Sequence, residues 1–472
     1  MGSLRFFKMH LRVPFLLLAL LEFVVCVVAV HIALYVRFDG PQTPEEMAFY
    51  TIESPVLTSL MFGIVMPVTM MAMGLYQSRF RGGVIGVFLR SISGFIAGGI
   101  ILAIIYYIVP QLYLGRGVFG IAVLIAFFMV GTIRPLFFYY VDSDLMKIRV
   151  LVYGSGEAAA SIRKRLRRRV DRRGFSIIGY VKSNTDMGVE VEPSLVVEPS
   201  GSLLDYCNEH DVDEIVVALD EKRNGTPLDE LLSCKLSGVD VIDILGFFER
   251  EQGKIPLDIM RPDWLIYSDG FAKSAVKTVA KRIFDIVASM LILLVTWPFM
   301  LFAFLAIKFE DGWDSPVLYA QERVGLLDQP FSVLKFRSMS VNAEKDGVAQ
   351  WATKNDSRVT NVGALMRKTR IDELPQIVNV LIGDMSFVGP RPERPQFVKE
   401  LGEQIPFYHE RHAVKPGITG WAQVCYPYGA SMEDSVQKQE FDLYYIKNHT
   451  IFLDILILCQ TAEVVLFGKG AR

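Results

Sequence analysis

Four apolar stretches, at about 13–36, 55–76, 91–110 and 118–140, each reach the roughly 20 residues a helix needs to cross a bilayer. The first is too long for a signal-peptide core, has no small-residue cleavage site and runs straight into further spans, so it is expected to be retained. From 148 to 245 the pattern changes to short apolar runs alternating with helical stretches, with strand candidates at 148–153, 176–181, 214–218 and 239–244. That rhythm predicts a small parallel α/β layer. A fifth apolar stretch, 283–307, interrupts the remaining soluble-type sequence, and a sixth, 451–467, carries Asp454, Gln460 and Glu463 and reads as an interfacial amphipathic helix.

Charge gives these stretches a direction. Arg5, Lys8 and Arg12 precede the first span, Arg79, Arg81 and Arg90 lie between the second and third, and Lys147 and Arg149 follow the fourth. The positive-inside rule makes these segments cytoplasmic and leaves 37–54 and 111–117 outside. Within the spans, Glu22 and His31 are expected to face neighbouring helices, and Arg134 with Pro135 to lie near the inner headgroups. The fifth stretch has Lys273, Lys277, Lys281 and Arg282 before it, Lys308 after it, and Pro298 past its middle. Basic residues at both ends place both on one side. A proline removes a helical hydrogen bond and bends the helix, which predicts a segment that enters the inner leaflet and turns back at Pro298.

Composition narrows the class. Of 472 residues, 51% are hydrophobic and 21% charged, and the formal net charge is −2. Disorder is excluded, and nucleic-acid binding has no electrostatic footprint. The five cysteines show no CxxC spacing, which argues against a disulfide framework or zinc site and for a reducing compartment.

In the α/β layer the first strand runs into Gly154-Ser155-Gly156-Glu157-Ala158-Ala159, a shortened form of the glycine turn that brings a helix N-terminus to a pyrophosphate. A dinucleotide site wants an acidic residue ending the second strand, and that strand ends Tyr180-Val181-Lys182. A structural or regulatory domain that keeps a Rossmann-like turn is the better reading. The basic run from Arg163 to Arg173 reads as a solvated face or as a surface against anionic headgroups.

Chemistry concentrates after the fifth stretch. Lys335-Phe336-Arg337-Ser338-Met339, then Arg367-Lys368-Thr369-Arg370-Ile371-Asp372-Glu373-Leu374-Pro375-Gln376, then Gly383 to Glu393 gather arginines around one adjacent carboxylate pair. Guanidinium forks bind phosphate oxygens bidentately, so the pattern fits a phosphorylated substrate. Adjacent helical residues diverge by about 100°, so Asp372 and Glu373 take different tasks. One can attack phosphorus while the other helps hold a metal or positions a partner, and a hard divalent cation, Mg2+, would neutralise the phosphate charge.

These motifs, with Lys281-Arg282, Phe284-Asp285 and the proline-bent stretch, resemble the catalytic domain of the bacterial sugar transferases, the monotopic polyprenyl-phosphate phosphoglycosyl transferases. Four preceding spans and a Rossmann-like domain resemble the large, exopolysaccharide-associated branch. One departure is Trp297-Pro298, where small members often have Ser-Pro. The proline still supplies the bend, and Thr296 is the nearest hydroxyl.

The resemblance implies a multi-domain α/β membrane protein. Its parts are four transmembrane helices in 1–145, a Rossmann-like domain in 146–270, a re-entrant membrane helix in 271–310, and a mainly α catalytic domain in 311–472 ending in the interfacial helix. It implies a ping-pong transfer of hexose-1-phosphate from a UDP-sugar to undecaprenyl phosphate with release of UMP. Asp372 would be the nucleophile and Glu373 its partner with Mg2+, both as candidate metal ligands. Arg367 and Arg391 would hold phosphates, with Lys335 and Arg337 near the site. Membrane lipids, a homodimer and downstream glycosyltransferases are the further partners implied, and the place is the cytoplasmic face of a bacterial inner membrane.

Other classes fit less well. A membrane nucleotide-sugar dehydratase or epimerase needs a tyrosine with lysine four residues on, and no tyrosine here has one. A non-enzymatic polysaccharide-assembly scaffold would not require the carboxylates and arginines that are present. Tyr408-His409-Glu410-Arg411-His412 departs from the HExxH spacing of zinc hydrolases.

Overall fold

A computed structural model of the chain describes residues 3–6, 9–38, 55–73, 75–76, 83–141, 147–167, 169–172, 174–183, 186, 188–199, 201–220, 226–268, 270–271, 274–340, 358–426, 429 and 431–467. Of the residues used above for topology, Lys8, Arg79, Arg81 and Lys273 lie outside it, as do Arg168 and Arg173 of the basic run and most of the 37–54 loop. The chain divides into two compact units, Met1–Gln252 and Gly253–Arg472.

In the first unit the four predicted spans are helices Val13–Phe38, Pro55–Ala72, Gly83–Ile108 and Arg116–Val141. They share one apolar core built from Leu18, Phe62, Met66, Phe95, Leu102 and Ala126. Many outward side chains, such as Leu20, Ile64, Ile100 and Phe128, are large, apolar and exposed. An apolar exterior over an apolar core is the mark of helices whose solvent is lipid. Arg134, next to Pro135, turns into the bundle. It is fully buried, its Nε 2.7 Å from Oε1 of Glu22, which also accepts from the Tyr76 hydroxyl. Two charges inside such a bundle are tolerable only as a pair, and the pair joins the first helix to the fourth. His31 is exposed rather than turned to a neighbour.

The same unit carries a five-stranded parallel sheet. Its strands are Ile148–Tyr153, Phe175–Val181, Val196–Val197, Glu214–Val217 and Asp240–Asp243, in spatial order third, second, first, fourth, fifth. This is a doubly wound half, with its switch point between the first and fourth strands. The two-residue third strand is the element the apolar pattern did not announce.

The second unit carries, after a short helix Pro262–Tyr267, a 37-residue helix, Ala275–Asp311, that continues through Pro298. At about 1.5 Å per residue it is far longer than the roughly 30 Å hydrocarbon core. Its middle is exposed and apolar at Met290, Leu294, Val295, Trp297, Phe299 and Phe302, while Asp285, Ser289, Ala303 and Ile307 are buried. Thr296 Oγ1, two residues before the proline, donates to the Ile292 carbonyl at 2.8 Å. Behind this helix lie an antiparallel hairpin, Leu318–Val324 with Pro330–Phe336, a two-stranded parallel pair, Ser386–Val388 with Gly417–Thr419, and otherwise mainly helices.

Candidate active site

Asp372 and Glu373 sit on a single 3-10 turn, Ile371–Glu373, between helices Asn361–Thr369 and Gln376–Ile382. Arg370 makes the corner, its backbone at φ 60° where non-glycine residues rarely lie. Asp372 is buried, and its Oδ1 has no hydrogen-bond partner. Glu373 Oε1, by contrast, gathers three cations: Lys335 Nζ at 3.2 Å, Arg391 Nη2 at 3.4 Å and Arg370 Nη1 at 3.6 Å.

The two carboxyls consequently differ in acidity. Burial, then the Glu373 charge, pushes Asp372 up to about 6. Burial also acts against the Glu373 carboxylate, but Arg391, Lys335 and Arg370 outweigh it and hold the group down at about 2. Lys335 is lowered, chiefly by burial, with Glu373 opposing. At neutral pH the site holds an ionised, fully compensated Glu373 beside an ionised Asp372 that keeps an unbonded oxygen.

Each cation is positioned by its own element. Lys335 projects from the second hairpin strand, which is pinned to the Gln376–Ile382 helix by the buried amide of Asn379: its Oδ1 accepts from Leu334 N at 3.0 Å and its Nδ2 donates to the Ser332 carbonyl at 2.8 Å. The C-terminus of that helix is capped by Arg282, which donates to the carbonyls of Val380 and Leu381 at 2.5 and 2.6 Å. Arg367, near enough to depress Asp372 electrostatically, is oriented by its Nε–Ser338 Oγ bond of 2.9 Å.

Arg391 is fixed by the backbone on either side of it. The carbonyls of residues 390 to 393 accept from Gly417 N, Arg411 Nη2, Arg323 Nη1 and Val324 N, at 2.9 to 3.1 Å. Two glycines permit this: a Cβ on Gly417 would lie 2.1 Å from Gly389 N, and one on Gly389 would lie 2.4 Å from the Lys415 carbonyl. One residue earlier, the Val388 carbonyl accepts from Lys281 Nζ at 3.1 Å and Tyr445 OH at 2.9 Å, while Asp454 takes Lys281 at 2.7 Å and Tyr445 at 2.7 Å. Asp454 is therefore buried in an ion pair, not part of a wetted helix face. Asp285 accepts from Ser386 Oγ and Phe387 N at 2.9 and 3.1 Å.

The structure thus brings together Asp372, Glu373, Lys335, Arg391 and Arg367. Arg337 turns its Nη2 to Asp311 Oδ2 at 2.6 Å, at the end of the long helix, while its Nε and Nη1 are buried without a hydrogen bond. Pro298 lies in the exposed middle of that helix. Sequence reasoning missed Asn379, Arg411, Asp442 and Tyr445 as supports. Their one sequence signal is a polar group within a stretch otherwise suited to burial.

The other phosphate-type feature, the glycine turn at 154–156, is occupied by the chain itself. Asp220 accepts from the N–H groups of Glu157 and Ala158 at 3.2 and 2.8 Å, at the helix N-terminus where a pyrophosphate would sit. Asp186, five residues past the second strand, accepts from Ser155 N at 2.8 Å and Oγ at 2.9 Å, so the acidic residue absent from the strand end is supplied by the following loop and spent on the turn. A ligand phosphate would have to displace Asp220.

Comparison with known proteins follows the same division. Residues 276–468 match the family model described as bacterial sugar transferase, and residues 71–242 match the one described as CoA-binding domain. The UDP-N-acetylgalactosamine-undecaprenyl-phosphate N-acetylgalactosaminephosphotransferase of Aeromonas hydrophila is 43% identical over 242 residues, covering 51% of this chain and 56% of that protein. The UDP-glucose:undecaprenyl-phosphate glucose-1-phosphate transferase of Xanthomonas campestris pv. campestris is 33% identical over 311 residues, 63% of this chain and 62% of its own. The chain thus spans little more than half the length of these two relatives. An uncharacterized sugar transferase, EpsL of Bacillus subtilis (strain 168), is 41% identical over 198 residues, 41% of this chain and 91% of that protein.

Proposed function

The chain belongs to the bacterial sugar transferase family, and on that premise we propose that it transfers a hexose-1-phosphate from a UDP-sugar to undecaprenyl phosphate, releasing UMP. The observation that carries this reading is the pairing of a buried Asp372 whose Oδ1 is unbonded with a Glu373 that assembles three cations. In the first half-reaction Asp372 Oδ1 attacks the sugar-bearing phosphorus. The bond from that phosphorus to the bridging oxygen breaks, and UMP departs with the electron pair. An acyl-phosphate links Asp372 to the sugar phosphate. In the second, a phosphate oxygen of the undecaprenyl carrier attacks the same phosphorus and Asp372 leaves as a carboxylate. Arg391, Lys335 and Arg367 face the diphosphate and meet charge that grows on the leaving phosphate.

The donor set also suits Mg2+: Glu373 turns Oε1 to its three cations, so its Oε2, with the Asp372 oxygen that does not attack, makes a hard-oxygen site. Asp372 and Glu373 are the residues that would hold the ion, whose chemistry when bound is neutralisation of the diphosphate charge. The sugar is a UDP-hexose, with UDP-glucose, UDP-galactose and UDP-N-acetylgalactosamine the first to test.

In the same reading the long helix is re-entrant and the catalytic body lies at the cytoplasmic face. Support comes from its two ends. Lys281, Arg282 and Asp285 bond to residues of the 380–388 and 445–454 segments, while Glu310 accepts from Asn361 N at 2.9 Å and Asp311 holds Arg337. Both ends thus engage one body, as a helix that returns to its own side requires.

The test is UMP release by the purified chain in nanodiscs with undecaprenyl phosphate, Mg2+ and a panel of UDP-sugars. Asp372→Asn should lose turnover and the covalent phosphosugar adduct together. Wild-type turnover by that variant would sink the assignment of the nucleophile.

A further inference from the structure

His409 and His412 do not form an HExxH pair, yet the fold turns them to one side. They lie on the 3-10 turn His409–Ala413, where residues three apart eclipse. Their ring centroids are 6.1 Å apart, and both Nδ1 atoms point to one oxygen: Asp328 Oδ1 is 3.1 Å from His409 Nδ1 and 2.6 Å from His412 Nδ1.

Asp328 reaches them from the loop of the Leu318–Val324/Pro330–Phe336 hairpin, more than 80 residues away. Leu327 and Asp328 both have left-handed φ, 55° and 60°. Two left-handed residues in a row are what a tight two-residue hairpin turn requires, and this one closes with Gln329 N donating to the Leu326 carbonyl at 3.2 Å, which fixes where Asp328 stands. His409 is held in place too, since a Cβ on Gly402 would come 2.5 Å from its Nε2, leaving Nδ1 as the nitrogen that faces inward. His412 is buried, whereas Asp328 and His409 are half-exposed, so the cluster has a solvent-facing side.

The geometry points to a binding site for a divalent transition-metal ion of the zinc type, with Asp328, His409 and His412 as ligands and its remaining coordination open to solvent. The three donor atoms lie within 4.8 Å of one another. Around a tetrahedral ion with bonds of about 2.0–2.1 Å, donors stand roughly 3.3 Å apart, so small side-chain rotations suffice. Two imidazoles and one carboxylate suit zinc and its first-row neighbours over Mg2+, which separates this site from the Asp372–Glu373 pair.

Its place in the fold gives the ion a consequence. Arg411 lies between the two histidines and points the other way. It is buried, donating to Asp442 Oδ2 at 2.8 Å and to the Arg391 carbonyl at 3.1 Å. An ion clamping the histidine face would therefore stiffen the turn that holds the Arg391 loop. Metal binding itself does not depend on the proposed reaction, and it can be read without any turnover.

The experiment uses the full chain in nanodiscs, stripped with a chelator and titrated with Zn2+ against a chromophoric competitor in excess Mg2+. Wild type should take up one tightly held equivalent, and X-ray absorption of that complex should report two imidazole nitrogens and light oxygen donors. Asp328→Asn and His409→Gln, both at half-exposed positions, should each lose that equivalent while still melting cooperatively without metal. No uptake by wild type, equal uptake by the variants, or a spectrum without imidazole overturns the site.

Discussion

At the residue scale, one peptide bond separates two carboxyls that their surroundings drive apart by several pH units. Asp372 is raised to about 6 by burial and then by Glu373; Glu373 is penalised by burial but held at about 2 by Arg391, Lys335 and Arg370. A pair this close titrates as a unit, its first proton leaving near the lower value and its second near the upper. A nucleophilic carboxylate must be ionised. Hence kcat/KM for the UDP-sugar should fall tenfold per pH unit below about 6 and level off above it. A profile flat from pH 5 to pH 8 would remove Asp372 as the titrating nucleophile. Stability runs the other way. Folded Asp372 holds its proton more tightly than the unfolded chain does, so stability declines as pH rises from about 3.8 towards 6. Above that window its ionised form costs on the order of 2–3 kcal/mol. Asp372→Asn should therefore melt higher than wild type at pH 7.5 and show little difference at pH 3.5; an unchanged or lower melting point at pH 7.5 would contradict the burial argument. The carboxylate pair and its arginines were legible in the sequence because they are close along the chain. Glu373's dominance by Lys335 and Arg391 was not, since those cations arrive from 38 and 18 residues away.

At the scale of elements, the site is as good as the strand–helix joint beneath it. Asn379 uses both ends of its amide to fasten the Lys335 strand to the helix that follows the Asp372–Glu373 turn. Asn379→Ala would orphan a backbone N–H and a carbonyl, at roughly 1–3 kcal/mol each if they stay dry. We expect Asn379→Ala to lower stability and, in protein that remains folded, to lower kcat/KM severalfold with Asp372 intact. Normal kinetics in a destabilised but folded variant would show that Lys335 needs no such joint. Apolar periodicity could not flag this residue, because an asparagine on a helix with apolar neighbours reads as a flaw until its two partners across the fold are known. The long helix and the sheet strands, by contrast, were plain from pattern alone, while the two-residue strand Val196–Val197 was too short to register. Arg337 illustrates the limit of a local motif. Its motif placed it by the phosphate site, but the pairing of its Nη2 with Asp311, 26 residues before it, had no local signal. The glycine turn at 154–156 likewise looked like a ligand cradle, but nothing in the local sequence announced that Asp220 would fill it.

At the scale of the whole molecule, chain topology has to satisfy lipid and chemistry together. An undecaprenyl tail stays in the bilayer with its phosphate at the surface, so a transferase acting on it needs its carboxylates at headgroup depth. The long helix bears on that. Its 37 residues would measure about 55 Å if straight, against roughly 30 Å of hydrocarbon. A single crossing would strand its two charged ends on opposite faces, and Lys281 with Asp454 and Asp311 with Arg337 would then have to be satisfied on different sides of the membrane. Buried ion pairs broken in that way cost several kcal/mol each. A helix that enters one leaflet and bends at Pro298 keeps every partner. Cysteines placed at Lys277 and Asp314, both exposed, in a background with Cys26, Cys207, Cys234, Cys425 and Cys459 replaced by serine, read the geometry directly. Both should react with a membrane-impermeant maleimide in inverted vesicles and neither in right-side-out ones. Labelling of one site from each side would establish a crossing and overturn the re-entrant reading.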